Sequence, residues 1–259
     1  MDWIIGGTKD SREFLDLLKN NDINLNQLIV SVATEYGKKL VNEINTDISA
    51  EDRLNIIQKP MDQKEMEDFI EKNKIERVFD FSHPYAVDVS KNAIEATKNK
   101  NIKYYRFERE NLNYDNANSF ENIDDLIAYL ENVEGNILVT LGSNNIKSFE
   151  NMKNLKNIYF RILPVTISLK KLEDIGIKAR NIIGLQGPFS KEFNQAIYEN
   201  YNIKYMVTKE SGETGGEREK LDSAKLLGIT PVILRRPKIE YPWVSSSLSK
   251  LFKIFIKVL

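Results

Sequence analysis

Short apolar runs rich in β-branched residues alternate with stretches of helical spacing along almost the whole chain, and this alternation restricts the fold more than any other feature. Runs at Asp2–Ile5, Gln27–Val32, Arg53–Ile57, Arg77–Asp80 and Lys103–Arg106 read as strands. A second set follows at Asn136–Leu141, Asn157–Ile162, Asn181–Gly184, Lys204–Thr208 and Pro231–Leu234. Between them apolar residues recur at helical spacing, as at Phe14, Leu15, Leu17 and Leu18. Parallel strands need a crossover, and a helix is the usual one, so the pattern predicts α/β architecture with parallel sheets covered on both faces. The 259 residues are ample for two domains. Glu108–Glu121 is polar, rich in Asn and Glu, and without apolar periodicity, so it reads as the linker. The expected domains are therefore 1–112 and 113–259. Ligands of open parallel sheets gather beyond the carboxyl ends of the strands, and two such edges facing one another would frame an interdomain cleft.

Composition removes several kinds of chemistry. The chain has no cysteine, which excludes disulfides, thiolate nucleophiles, cysteine-ligated zinc and iron–sulfur clusters. It has a single histidine, His83, so a polyhistidine metal site is excluded and no protein-bound metal is expected. A formal net charge of −1 gives no electrostatic footprint for nucleic acid. No apolar run is long enough for a membrane span, and the N-terminus carries an early acid, Asp2, that a signal peptide would lack. A cytoplasmic location is the expectation.

Six segments at strand ends carry candidate chemistry. Gly6-Gly7-Thr8-Lys9-Asp10-Ser11-Arg12 joins the first strand to its helix. Gly7 lets the backbone approach an anion, Thr8 and Ser11 offer hydroxyls, and Arg12 can hold a carboxylate or phosphate. The same residues also fit a simple tight turn with Asp10 as helix cap, and the G-x-G-x-x-G fingerprint is absent. After the second strand, Thr34-Glu35-Tyr36-Gly37 places an acid where Rossmann domains bind ribose hydroxyls, although it equally fits a helix start. Ser82-His83-Pro84-Tyr85 follows the fourth strand, ahead of an expected Pro-initiated helix, and His83 is the side chain suited to proton transfer near neutrality. Thr140–Asn144 and Gln186–Asn194 read as strand-to-helix turns. The most distinctive segment is Thr208–Lys220, where Gly212, Gly215 and Gly216 crowd a loop with Ser211 and Thr214, flanked by Lys209 and Lys220. Backbone amides of such a loop can cradle a pyrophosphate, but it is not a Walker A loop. Arg106, Arg109, Arg161, Arg235 and Arg236 lie near strand ends and suit a substrate with many carboxylates. Ser247–Leu259 sets Lys250, Lys253 and Lys257 on one helical face; the pattern fits an amphipathic membrane or partner helix, but the expectation is a final helix docked on the second sheet.

Taken in order, GGTKDSR, SVATEYG, FSHPYA, TLGS, LQGPFSKEFN, TKESGETGGEREK and LRRP resemble the precorrin-6A reductase family, in its precorrin or cobalt-precorrin form, from Met1 to about Pro237. The resemblance implies two Rossmann-like domains with the active site in the cleft between them. It implies a reductase that adds hydride from NADPH or NADH, without flavin, to a double bond of a polycarboxylate tetrapyrrole, and a proton at the neighbouring carbon. Any cobalt would belong to the substrate. Within that frame Lys209, Ser211, Gly212, Thr214, Gly215, Gly216 and Lys220 are expected to bind the coenzyme. Gly7, Thr8, Ser11, Arg12, Thr34, Tyr36, Ser82 and Arg106 are expected to face the macrocycle, and His83 or Tyr85 to deliver the proton. Two other functions fit the bare residues: a binding protein closing on an anionic ligand, and a transferase using a nucleotide-linked donor.

Overall fold

The computed structural model describes residues 1–46, 48–49, 51–112, 117–212 and 215–257. Two compact units emerge, one from 1–110 with 237–259 and the other from 111–236. In chain order the first unit contains β1 (Asp2–Ile5), α1 (Lys9–Lys19), β2 (Leu28–Val32), α2 (Glu35–Asn42), β3 (Asn55–Gln58), α3 (Gln63–Lys72), β4 (Arg77–Asp80), α4 (Val87–Asn99) and β5 (Lys103–Phe107). The second contains β6 (Asn118–Phe120), α5 (Ile123–Leu130), β7 (Asn136–Val139), β8 (Ile158–Ile162), α6 (Thr166–Asp174), β9 (Ile182–Gly184), α7 (Lys191–Asn200), β10 (Ile203–Lys209), α8 (Glu217–Leu226) and β11 (Thr230–Leu234). The chain then returns to the first unit with β12 (Val244–Ser245) and α9 (Leu248–Ile256).

Both sheets are six-stranded and parallel, ordered β12-β5-β4-β1-β2-β3 and β6-β11-β10-β7-β8-β9. Each is the doubly wound arrangement, with strand order reversing between β1 and β4 in the first sheet and between β7 and β10 in the second. The sixth strand of each sheet comes from beyond the other's fifth: β6 follows β5 in the chain but pairs with β11, while β12 follows β11 but pairs with β5.

Strands covered on both faces lose hydrophobic alternation and become continuously apolar. In β1 all four residues are buried, with Ile4 facing the cluster of Phe14, Phe79 and Phe255 and Trp3 and Ile5 facing Met66, Ile70 and Ala93. The Trp3 indole N–H finds a partner in Ser31 Oγ at 2.9 Å, so burying it leaves no unpaired donor. In the second unit Leu138 and Met206 pack with Ile197, Tyr198, Leu221 and Ala224 of α7 and α8.

Two sequence expectations are corrected. The linker is shorter than Glu108–Glu121, because the Glu108 N–H donates to the Ser245 carbonyl and so continues the β5–β12 ladder, and Asn118–Phe120 forms β6. The domain boundary at 112/113 does not hold for the C-terminal stretch. Residues 237–259 belong to the first unit, and α9 buries Leu251 and Phe255 there, not against the second sheet. Arg77 anchors α9 by donating from one guanidinium nitrogen to the carbonyls of Ile254 and Phe255, at 3.2 and 3.1 Å, while its other nitrogens clamp Asp2. The cations of the last helical turn could not disclose this, because the contact is made by carbonyls.

Candidate functional site

In the first unit, β1 ends at a turn whose Gly7 has φ +98°, a conformation that side chains rarely adopt. Thr8, not Asp10, caps α1: its hydroxyl accepts the Ser11 N–H at 3.2 Å and donates to the Phe81 carbonyl at 2.8 Å, tying the turn after β1 to β4. Ser11 is fully buried and its hydroxyl donates to the Thr8 carbonyl at 2.8 Å. Both hydroxyl hydrogens are given to backbone carbonyls, that of Thr8 to Phe81 and that of Ser11 to Thr8. Arg12 reaches back to the Thr8 carbonyl at 3.3 Å. Asp10 lies in the first turn of α1 and pairs with Arg109 at 2.6 Å.

Thr34 caps α2 by accepting the Gly37 N–H at 3.0 Å. A side chain at Gly37 would crowd Thr34 and come within 3.8 Å of Gly7, so the two helix starts close on one another through glycine backbone. Tyr36 is 55% exposed. The turns after β1, β2 and β4 line a cavity of about 280 Å³ at the β1/β4 reversal, with Gly7, Thr8, Thr34, Ser82, His83 and Lys59 among its walls. Arg12, Tyr36 and Tyr85 stand outside that lining.

His83 is exposed and sits in a turn closed by the Ala86 N–H donating to its carbonyl at 2.7 Å. Pro84 belongs to this turn and α4 begins at Val87, so the helix is not Pro-initiated. Nδ1 of His83 accepts the Tyr85 N–H at 3.2 Å, which makes Nε2 the proton-bearing nitrogen of the neutral ring. The two rings lie 5.8 Å apart.

Beneath Ser82 lies a buried polar network that sequence did not disclose. Asp80, at the end of β4, accepts from Arg106 at 3.0 Å, Tyr104 at 2.6 Å, Ser90 at 2.7 Å and the Ser82 N–H at 2.8 Å. Arg106 also donates to Ser82 Oγ at 2.9 Å and to Glu108, and its guanidinium lies 5.4 Å from the Tyr241 ring centre. Burial pushes the Asp80 carboxyl up, but the Arg106 charge and the Tyr104 and Ser90 hydroxyls more than reverse this and hold it below its ordinary value. Arg106 has no exposed side-chain surface, which corrects its assignment as a clamp for substrate carboxylates. It fixes the turn that carries Ser82 and His83.

In the second unit a cavity of about 370 Å³ opens at the β7/β10 reversal, lined by Arg161, Asn194, Phe189, Gly215, Gly216 and Lys220 among others. Arg161 is largely buried, donates to Asn194 Oδ1 at 2.7 Å and lies 4.8 Å from the Phe189 ring centre. Lys220, on α8, donates from Nζ to the Thr208 hydroxyl at 2.7 Å. Burial, reinforced by the Arg161 charge, pulls the Lys220 ammonium down to about 8. Lys209 is also lowered by burial. Gly216 caps α8 with φ +66°, and a Cβ there would stand 3.5 Å from Pro188.

The glycine loop is built differently from a simple amide cradle. The Gly212 N–H donates to Glu217 Oε2 at 2.6 Å, and the Ser211 N–H bonds the same carboxylate. Two of the amides expected to meet phosphate are therefore engaged within the protein. Thr214 lies outside the described residues. Of the remaining arginines, Arg235 pairs with Glu121 at 3.4 Å and Arg236 N–H donates to Glu210 at 3.1 Å. Among the described residues no cluster of three or more His, Asp or Glu is placed to hold a metal, and no helix is long and apolar enough to cross a membrane.

Comparison with known proteins places these two units. The sequence profile described as precorrin-6x reductase CbiJ/CobK matches residues 3–255. Among curated proteins, a cobalt-precorrin-6A reductase of Methanocaldococcus jannaschii is 33% identical over 254 residues, covering 96% of this chain and 96% of its own. A cobalt-precorrin-6A reductase of Priestia megaterium is 36% identical over 193 residues, covering 73% of this chain and 76% of its own. A solved structure titled CobK precorrin-6A reductase shares the fold, with a TM-score of 0.75 at 16% identity over 99% of this chain and 96% of that one. The profile spans nearly the whole chain and the archaeal relative aligns with it end to end. The chain therefore belongs to the precorrin-6x reductase family.

Proposed function

We propose that this protein is a cobalt-precorrin-6A reductase, which moves a hydride from NADPH or NADH to one carbon of a macrocycle double bond while a proton joins the neighbouring carbon. The observation that carries the reading is the likeness over 96% of both chains to a relative of that name. Hydride is what a reduced nicotinamide supplies when bound; the protein's own part is to bind, orient and deliver the proton.

The second-unit cavity fits the anionic part of a dinucleotide. Lys220 and Arg161 are two largely buried cations on its wall, and Gly215 and Gly216 bring backbone to the start of α8. The turns after β1, β2 and β4 receive the macrocycle, with Gly7, Thr34 and Ser82 in the wall and Lys59 as a cation for a carboxylate. His83 is the proton donor: it lines that cavity, is exposed, and carries its proton on Nε2. Tyr85 supports it by donating its N–H to Nδ1.

A second reading exchanges the two ligands. It is favoured by the engagement of the Ser211 and Gly212 amides with Glu217, which removes them from a phosphate cradle.

The test is anaerobic oxidation of NADPH, and separately NADH, with metal-free and cobalt-containing precorrin-6A, followed through both coenzyme and macrocycle absorbance. Turnover with the cobalt form supports the reading. Binding of the macrocycle without any coenzyme oxidation would contradict it.

A further inference from the structure

Glu217 has no exposed surface, although it is a carboxylate beside a cavity that suits anions. One oxygen is tied to backbone, with the Gly212 N–H at 2.6 Å and the Ser211 N–H beside it. The other, Oε1, is buried without a hydrogen-bond partner among the described residues. An orphaned carboxylate oxygen costs stability unless it serves something else. One helical turn along α8, Lys220 places its ammonium on Thr208 and in the cavity wall. Glu217 thus folds the first half of the glycine loop inward; burial raises its carboxyl, while the Gly212 and Ser211 amides and the nearby Lys220 charge favour its ionised form.

We propose that Glu217 is a positioning residue: by holding the Ser211 and Gly212 amides it leaves Gly215, Gly216 and Lys220 to receive an anionic group in the second-unit cavity. The inference rests on the proposal that this cavity takes an anion. A coenzyme phosphate and a macrocycle carboxylate share that chemistry, and the experiment separates them.

The electrostatic surroundings support the arrangement. Lys220 is faced by Arg161 of β8, Lys209 of β10, and Glu217 and Glu219 of α8, while Glu210 after β10 acts on Glu217 and Tyr198 of α7 bonds the Lys220 carbonyl. Arg161 and Lys209 drive Lys220 towards neutrality; Glu217 and Glu219 oppose them. Removing the Glu217 charge leaves the cations in the majority, so Lys220 loses its proton at lower pH. An anion arriving in the cavity acts in the opposite sense, and binding is expected to take up protons near pH 8.

The experiment measures binding of NADPH and of cobalt-precorrin-6A by calorimetry from pH 6.5 to 9.5, in buffers of different ionisation enthalpy, for the intact protein, Glu217→Gln and Lys220→Met. In the intact protein one ligand should bind with proton uptake and lose affinity above about pH 8. In Glu217→Gln that ligand should bind roughly tenfold more weakly, as expected for loss of a charge acting on a buried contact, with the alkaline decline moved to lower pH. The ligand affected identifies the anion as phosphate or carboxylate. Unchanged affinity and an unchanged pH profile for both ligands, even with a lowered melting temperature, would overturn the positioning role. Should Glu217→Gln fail to fold, Lys220→Met decides: binding that becomes flat between pH 7 and 9 supports the pair, and a retained slope overturns it. A Lys220→Met variant that binds both ligands as the intact protein does would sink the anion site itself.

Discussion

Arg106→Met removes the guanidinium from the middle of the first unit's buried network while keeping most of the side-chain volume. The loss leaves Asp80, which has no exposed surface, without its counter-charge, and strips Ser82 Oγ and Glu108 of a donor. Breaking one partner out of a buried ion pair costs about 3–5 kcal/mol. At about 3 °C per kcal/mol for a unit of this size, the first unit should melt roughly 10–15 °C lower. The pH dependence gives a sharper signature. In the intact protein Asp80 is held below its ordinary value of 3.8, so its contribution is present above that value and lost only as pH falls through the lowered one. Without Arg106 the leading influence is burial, which raises the carboxyl, so the variant should gain stability as pH drops from 7 to 5. Adding Asp80→Asn should recover part of the loss, since the uncompensated charge is gone. Urea unfolding at pH 5 and 7 reads all three. A loss below about 1 kcal/mol, or a single variant that gains no stability between pH 7 and pH 5, refutes the argument that Arg106 is structural.

Two further predictions follow from the same unit. His83→Asn should lower kcat by about a hundredfold with little change in either KM, because it removes a proton donor and not a binding group; full turnover in stopped-flow assays would remove His83 from the chemistry. Deleting 248–259 should destabilise the first unit by about 3–6 kcal/mol, since Leu251 and Phe255 leave the core and Arg77 loses two carbonyl acceptors; a melting profile unchanged from the intact protein would contradict the placement of α9.

The fold was largely legible because parallel strands covered on both faces carry short apolar runs without alternation, as at Trp3–Ile5, Leu28–Val30 and Val78–Phe79. The strands left unread are the ones to which that reasoning does not apply. β6 is a three-residue edge strand with one large apolar residue, Phe120, and β12 is two residues long. Both join a sheet by backbone pairing at an edge, for which composition gives no signal. The candidate site divides in the same way. Glycines with positive φ, such as Gly7 and Gly216, mark loops at the cavities because backbone conformation selects the residue type. Arg106 illustrates the converse: its position after a strand suggested a ligand, but only the neighbouring Asp80, Tyr104 and Glu108 reveal that its charge is already answered. Glu217 went unnoticed because an acid in the first turn of a helix is ordinary, and its burial is a tertiary fact.

The central claim, that this chain reduces its macrocycle by hydride transfer from a nicotinamide, is tested most directly with coenzyme carrying deuterium at nicotinamide C4. Purified protein is incubated anaerobically with cobalt-precorrin-6A and each C4-labelled epimer of NADPH, and the macrocycle is examined by mass spectrometry and NMR. The account predicts that one epimer delivers deuterium to a single carbon of the product while the other does not, with one coenzyme oxidised per macrocycle reduced. Product that carries no deuterium from either epimer would contradict it.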